Sequence, residues 1–154
     1  MLKQLAIICA LGSATILVGC QGMQPTTKEV QTAESLQLLQ NRTWIATQIG
    51  NTAIKTTPQN RNVPSLKFDE ATKNVSGSDG CNRLVGAYNA GQDTLQLSQM
   101  ASTRMACLNN GNIDSEFNQA IAKVTHYQTY GKTLKLLDRY GNLLIQFESA
   151  VQPR

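Results

Sequence analysis

Four cysteines and a single histidine are the side chains best suited to chemistry in this 154-residue chain. Cysteine can serve as nucleophile, metal ligand, lipid acceptor or disulfide partner, and its setting decides which. Cys9 lies inside an apolar run, Cys20 follows Leu17-Val18-Gly19, and Cys81 and Cys107 stand in polar blocks. A zinc site needs more ligands than Cys81, Cys107 and His126 obviously supply, so no metal is expected. A redox pair would favour C-x-x-C spacing, and that spacing does not occur. A hydrolase triad would bring His126 to a serine and an acid, yet no G-x-S-x-G elbow marks a nucleophile. Paired carboxylates could cut glycans, but Asp69, Glu70, Asp79 and Asp93 fall at predicted strand ends or turns, where solvated acids are ordinary. No glycine-rich phosphate loop is present. The expectation is a chain without catalytic residues or cofactor.

The N-terminus supplies an address. Lys3 precedes an apolar run from Leu5 to Leu17, which is too short to span a bilayer and has the form of a secretory signal. The run ends in Leu17-Val18-Gly19-Cys20, which resembles a bacterial lipobox. That resemblance implies removal of residues 1–19 and lipidation of Cys20, whose acyl chains would anchor the chain at about 0.8 kcal/mol per buried CH2. Gln21, in place of an aspartate, points to the periplasmic face of the outer membrane. In that oxidising compartment Cys81 and Cys107 are an even pair. A structural disulfide contributing about 3–4 kcal/mol is the favoured reading, with metal binding and free thiols as alternatives.

The elements that would position these residues follow from patterning. Residues 20–40 are polar, include Pro25, and read as a flexible tether, with a helical turn drawn loosely over Glu34 to Gln40. Thr43 to Ile49 is β-branched and aromatic and reads as a strand. Ser65 to Asp69, Lys73 to Ser78, Gly86 to Tyr88 and Thr94 to Leu97 are further short strands. One helix is expected, with Asn112 or Asp114 as its cap and Ile113, Phe117, Ala120, Ile121 and Val124 as its buried stripe. His126 is expected at the C-terminal end of that helix. A hairpin closes the domain, Thr133 to Leu137 and Leu143 to Phe147, around a turn containing Gly141. Many short strands with one helix imply an antiparallel α+β fold. The formal net charge is +4. Its cations, such as Arg42, Lys67, Arg83 and Arg104, are scattered, which argues against a nucleic-acid partner and a polybasic membrane tether.

Two blocks, Gly80-Cys81-Asn82-Arg83 with Gly86-Ala87-Tyr88, and Ser102-Thr103-Arg104-Met105-Ala106-Cys107, resemble the META domain family of HslJ-like heat-shock lipoproteins. Trp44, the segment Pro64 to Phe68, Phe117, Gly141 and Phe147 fall where the family places its strands, helix and last hairpin. The resemblance implies a META domain over residues 41–150, a Cys81–Cys107 disulfide, and a cracked-barrel-like domain with one packed helix, similar to secretin pilot lipoproteins. It implies a non-catalytic role in stress tolerance or envelope maintenance, or alternatively pilot-like binding of a secretion or envelope component or a hydrophobic ligand. It carries no catalytic residues. Asn82 suits its own turn, and Arg104 suits an internal ion pair or backbone staple, or else a partner's carboxylate or phosphate; both are candidates for a partner contact. Leu66, Phe68, Leu95, Leu97, Ile145 and Phe147 would line either a filled core or a cleft.

Overall fold

The computed structural model describes residues 27–55, 62–107 and 111–150. The expected signal, Cys20 and the start of the tether lie outside the described residues. The chain runs through α1 (Thr27–Leu39), β1 (Thr43–Ile49), β2 (Thr52–Ala53), β3 (Ser65–Phe68), β4 (Asn74–Ser78), β5 (Arg83–Ala90) and β6 (Leu95–Ser102). It continues through α2 (Ile113–Ile121), β7 (His126–Tyr130), β8 (Thr133–Leu137) and β9 (Leu143–Ser149). Eight strands form one antiparallel sheet in the order β6-β5-β4-β3-β1-β9-β8-β7, and β2 pairs with β1. The sheet curls into a half-barrel. Its two edge strands meet only at one end, where Leu95 N–H donates to Thr125 O (2.9 Å), Tyr127 N–H donates to Asp93 O (2.8 Å), and Thr94 bridges His126.

Alternation explains the packing. Trp44 and Ala46 face inward on β1, and strict period two would turn Gln48 inward next. A bulge between Ala46 and Gln48 in the β1–β9 register changes the phase, so that Ile49 is buried instead. Phe117 packs edge-on against Phe147 at 6.2 Å, which fixes α2 to β9. Leu66, Phe68, Leu95, Ile145 and Phe147 are buried in one core and Leu97 is half-buried against it, so these side chains fill the half-barrel. Burying a side chain of this size stabilises the fold by about 1.5–3 kcal/mol.

Several expectations are corrected. The segment read as tether through Gln40 is helical from Thr27, so two helices pack on the sheet instead of one. Its C-terminal end is part of the core: Leu39 is 0% exposed, Gln40 is buried, and Trp44 Nε1–H donates to Leu39 O at 2.9 Å. Asn41 then takes a left-handed φ of 58° and ends the helix, as asparagine can at that position. Helix α2 stops at Ile121, and Val124 is buried beyond it. Asn112 stands at the N-cap position but with a φ of 65° and no side-chain cap hydrogen bond. His126 is not at a helix end; it opens β7. Strand β6 continues past Leu97 to Ser102. No helix among the described residues is long and apolar enough to cross a membrane.

Candidate functional site

The two motif blocks meet through the turn that follows β4. Two glycines make the approach possible: a Cβ on Gly77 would collide with the backbone of Ser65, and Gly80 has a φ of 97° with Asn62 O and the Pro64 ring against it. Between these two glycines, Asp79 organises the turn that leads to Arg83. Its Oδ1 accepts the N–H groups of Cys81 (2.9 Å) and Asn82 (2.6 Å), and its own N–H donates to Asn82 O at 3.0 Å. Its Oδ2 accepts Asn118 Nδ2–H from α2 at 2.8 Å. Asp79 is 0% exposed. It is therefore not the solvated turn acid expected from its position. It is a buried carboxylate that is satisfied on both oxygens, and burial of such a group requires that.

Asn82 carries the network to the second block. Its Oδ1 accepts Met105 N–H at 2.8 Å and the Thr103 hydroxyl at 3.3 Å, while its Nδ2–H donates to Cys107 Sγ at 3.6 Å. Thr103 Oγ1 in turn accepts Arg83 N–H at 3.1 Å. A disulfide joins Cys81 to Cys107, whose Cα atoms are 5.8 Å apart. Asn82 is thus buried and spent on internal bonds, which corrects its reading as a partner contact. It staples the neighbouring loop in addition to its own turn. Arg104 projects from that stapled loop. It is exposed, and among the described residues its guanidinium makes no hydrogen bond or ion pair. Neither an internal ion pair nor a backbone staple through Arg104 is formed among the described residues.

The other titratable groups are dispersed. His126 is half-buried with Nδ1 2.9 Å from the Thr125 hydroxyl. Tyr127 donates its hydroxyl to Gly91 O at 2.8 Å, and burial, aided by the Asp93 charge, pushes that hydroxyl up to about 12. Tyr88 also titrates above its usual range because it is buried, despite accepting a hydrogen bond from Gln40 Nε2 at 2.8 Å. Asp69 is held below the ordinary carboxylate range by the Thr72 N–H and hydroxyl. Among the described residues no three His, Cys, Asp or Glu side chains gather where a metal could sit.

Several concavities lie along the sheet edges, and two of them are walled by a helix. One of ≈ 550 Å³ lies between α1 and β7, with Leu38, Tyr127 and Tyr130 in its walls. A slot of ≈ 180 Å³ lies between β6 and α2. Leu84, Leu97, Met100, Ile121 and Val124 make its apolar lining, and Ala101, Ser102, Asn118 and Ala122 its rim. Sequence reasoning missed this slot. The apolar Leu97 and Met100 among polar neighbours were its only sequence signal, and the helix that walls it is contributed from beyond Cys107.

The META domain family model matches residues 37–151, and the chain belongs to that family. No curated protein matches the chain in sequence. The fold resembles that of a Burkholderia xenovorans protein solved by NMR, with a TM-score of 0.59 and 22% identity, covering 95% of this chain and 100% of that one. A second NMR structure, of a protein without a stated source, gives a TM-score of 0.58 at 21% identity over 74% of this chain and 93% of its own. A DUF4847 family protein from Bacteroides vulgatus gives 0.54 at 17% identity over 76% and 98%. At these identities the likeness is one of fold.

Proposed function

We propose that this member of the META domain family is an envelope lipoprotein, anchored through Cys20 on the periplasmic face of the outer membrane, whose domain acts by binding and not by catalysis. The observation that supports this reading is the use made of the family blocks. Asp79, Asn82, Thr103 and the Cys81–Cys107 disulfide spend their chemistry on each other, and the product is a rigid loop that displays Arg104 and Met105 to solvent. Reactive groups that are internally satisfied build scaffolds; catalysis needs groups held ready for a substrate. A role in stress tolerance or envelope maintenance is the setting for such a scaffold, and a partner protein or hydrophobic segment its ligand.

Fractionation of cells that express the chain and its Cys20→Ala variant tests the anchor. The unaltered protein should partition with outer membrane and carry added acyl mass, while the variant should lose both. An unmodified mass for the exported wild-type protein would sink the lipoprotein reading. The non-catalytic reading fails if purified protein turns over a cell-wall substrate and His126→Ala abolishes that turnover.

A further inference from the structure

We infer that the free edge of β6 is a docking site for one extended peptide strand, which pairs with the β6 backbone and drops an apolar side chain into the slot between β6 and α2. The inference names a partner class for the binding function proposed above and rests on that reading. Strand β6 has the composition of an edge left open. Its eight residues, Leu95 to Ser102, include no charge and no proline, the devices that usually blunt an edge.

Backbone phase shows what is offered. Leu95 N–H points away from β5, because it donates to Thr125 O, so period two turns the Leu97 amide and carbonyl the same way. Thr103 N–H donates to Arg83 O, so the Ser102 groups face outward as well. A bulge with Gln99 at a φ of 52° lies between these two points and keeps both outward despite the odd spacing. Beyond Leu95, β6 pairs with β5 alone among the described residues.

The slot selects a strand over a folded partner. Helix α2 walls its far side through Ile121 and its C-capping Ala122, so the space left beside β6 is of side-chain size. The ≈ 180 Å³ available is comparable to apolar cavities of roughly 150 Å³ that accept a benzene-sized group. Charge sets the polarity of the ligand. Arg83 and Arg104 are both exposed at the Ser102 end, and neither has an ion pair among the described residues. A peptide with a carboxylate at that end is complementary. This is strand addition, in which the main chain supplies affinity and the pocket supplies selectivity.

The probe is a pool of fluorescein-labelled peptides of about eight residues, alternating an apolar residue with threonine and ending in glutamate. Binding to the full chain in detergent is read by anisotropy and by amide exchange. The bound state should slow exchange at Leu97 and Ser102. Ser102→Pro removes an outward N–H without touching the β5 ladder, and Ala122→Trp fills the slot from an exposed position. Each should weaken binding by about tenfold or more. Arg104→Glu should weaken it less, and salt should erase that difference. Tyr140→Ala, on an exposed turn, should change nothing. If Ser102→Pro fails to fold, Ala122→Trp alone carries the test. Absence of binding by every peptide in the pool overturns the proposal, as does binding that survives both edge variants; the latter leaves a binding function standing elsewhere on the domain. A wild-type dimer that Ser102→Pro converts to monomer overturns it in favour of a second copy.

Discussion

The two edges of this sheet are treated differently. Strand β7 is five residues long and α1 lies against it, with the Thr129 hydroxyl directed at Ser35 O. Strand β6 is eight residues long, uncharged, and its outer edge pairs with no strand among the described residues beyond its first pair. An exposed edge invites pairing with other chains, so covering one edge and leaving the other open separates a protected side from a presenting side. The cover is local in origin, since α1 is joined to β1 by a short link. Its C-terminal end is anchored where Leu39 and Gln40 enter the core.

The largest way to break this asymmetry is therefore Leu39→Ala. Truncating a fully buried leucine should cost about 2–5 kcal/mol in chemical denaturation. Exchange protection on β7 should fall with it while β6 is unchanged, making the two edges alike. Unaltered β7 protection would show that α1 is not the cover.

A second, somewhat smaller effect sits in the turn between β4 and β5, on the β6 side of the sheet. Asp79→Ala removes two charge-assisted bonds to turn N–H groups and the link to Asn118, and should destabilise the domain by about 2–3 kcal/mol. Asp69→Ala is the contrast, because that carboxylate also accepts hydrogen bonds but faces solvent, and its loss should be clearly smaller. Equal losses would show that burial is not what gives Asp79 its weight. Exchange should also rise at Thr103 and Met105, which lie at the exit of β6 and depend on the Asp79–Asn82 turn.

Much of this arrangement was legible in the sequence where one segment carries its own signal. The β-branched and aromatic run Thr43 to Ile49, the stripe of Phe117 and Ile121, and the Asp138 to Asn142 turn with Gly141 at a φ of 82° are local patterns, and they appear where expected. The features that were missed depend on distant partners. Helix α1 is polar over most of its length, so only its last turns, read over Glu34 to Gln40, carried a local signal, and its extension back to Thr27 did not. Asp79 looks like any turn acid until Asn118, thirty-nine residues on, reaches it. Strand β6 past Leu97 contains no β-branched residue, so propensity is silent there and pairing with β5 decides. The Cys81 and Cys107 blocks were legible as a family mark, but their internal wiring through Asn82 was not.

Where the edges meet, pH supplies a third and smaller test. Tyr127 is buried at the junction, and its hydroxyl ionises near 12 when folded against about 10 when free. The unfolded chain therefore loses this proton first as pH rises. The native state then holds more protons than the unfolded state, so stability falls with pH. The contribution is complete below about pH 10 and is lost between about 10 and 12. The melting temperature should decline over that window, and Tyr127→Phe should flatten part of the decline. The same slope in the Phe variant would assign the alkaline sensitivity to other groups.

The smallest expected effect decides what holds α1 on β7. The Thr129 hydroxyl lies 3.4 Å from Ser35 O, at the long limit of a hydrogen bond, and Thr129 is only half-buried. Thr129→Val keeps the branched shape and β propensity while deleting the donor, so it should cost no more than about 0.5–1 kcal/mol. The carbonyl it abandons is a helix group, whose intrahelical bonding persists. If apolar anchoring at Leu39 governs the cover, Thr129→Val should leave β7 exchange close to wild type while Leu39→Ala raises it strongly. If instead Thr129→Val alone frees the edge, the helix is latched by a polar contact. Protection of β7 would then respond to competing hydrogen-bond donors and not to core packing. The ratio of the two variants' effects on β7 exchange thus separates a packed cover from a latched one, and so defines how the protected side differs from the presenting one.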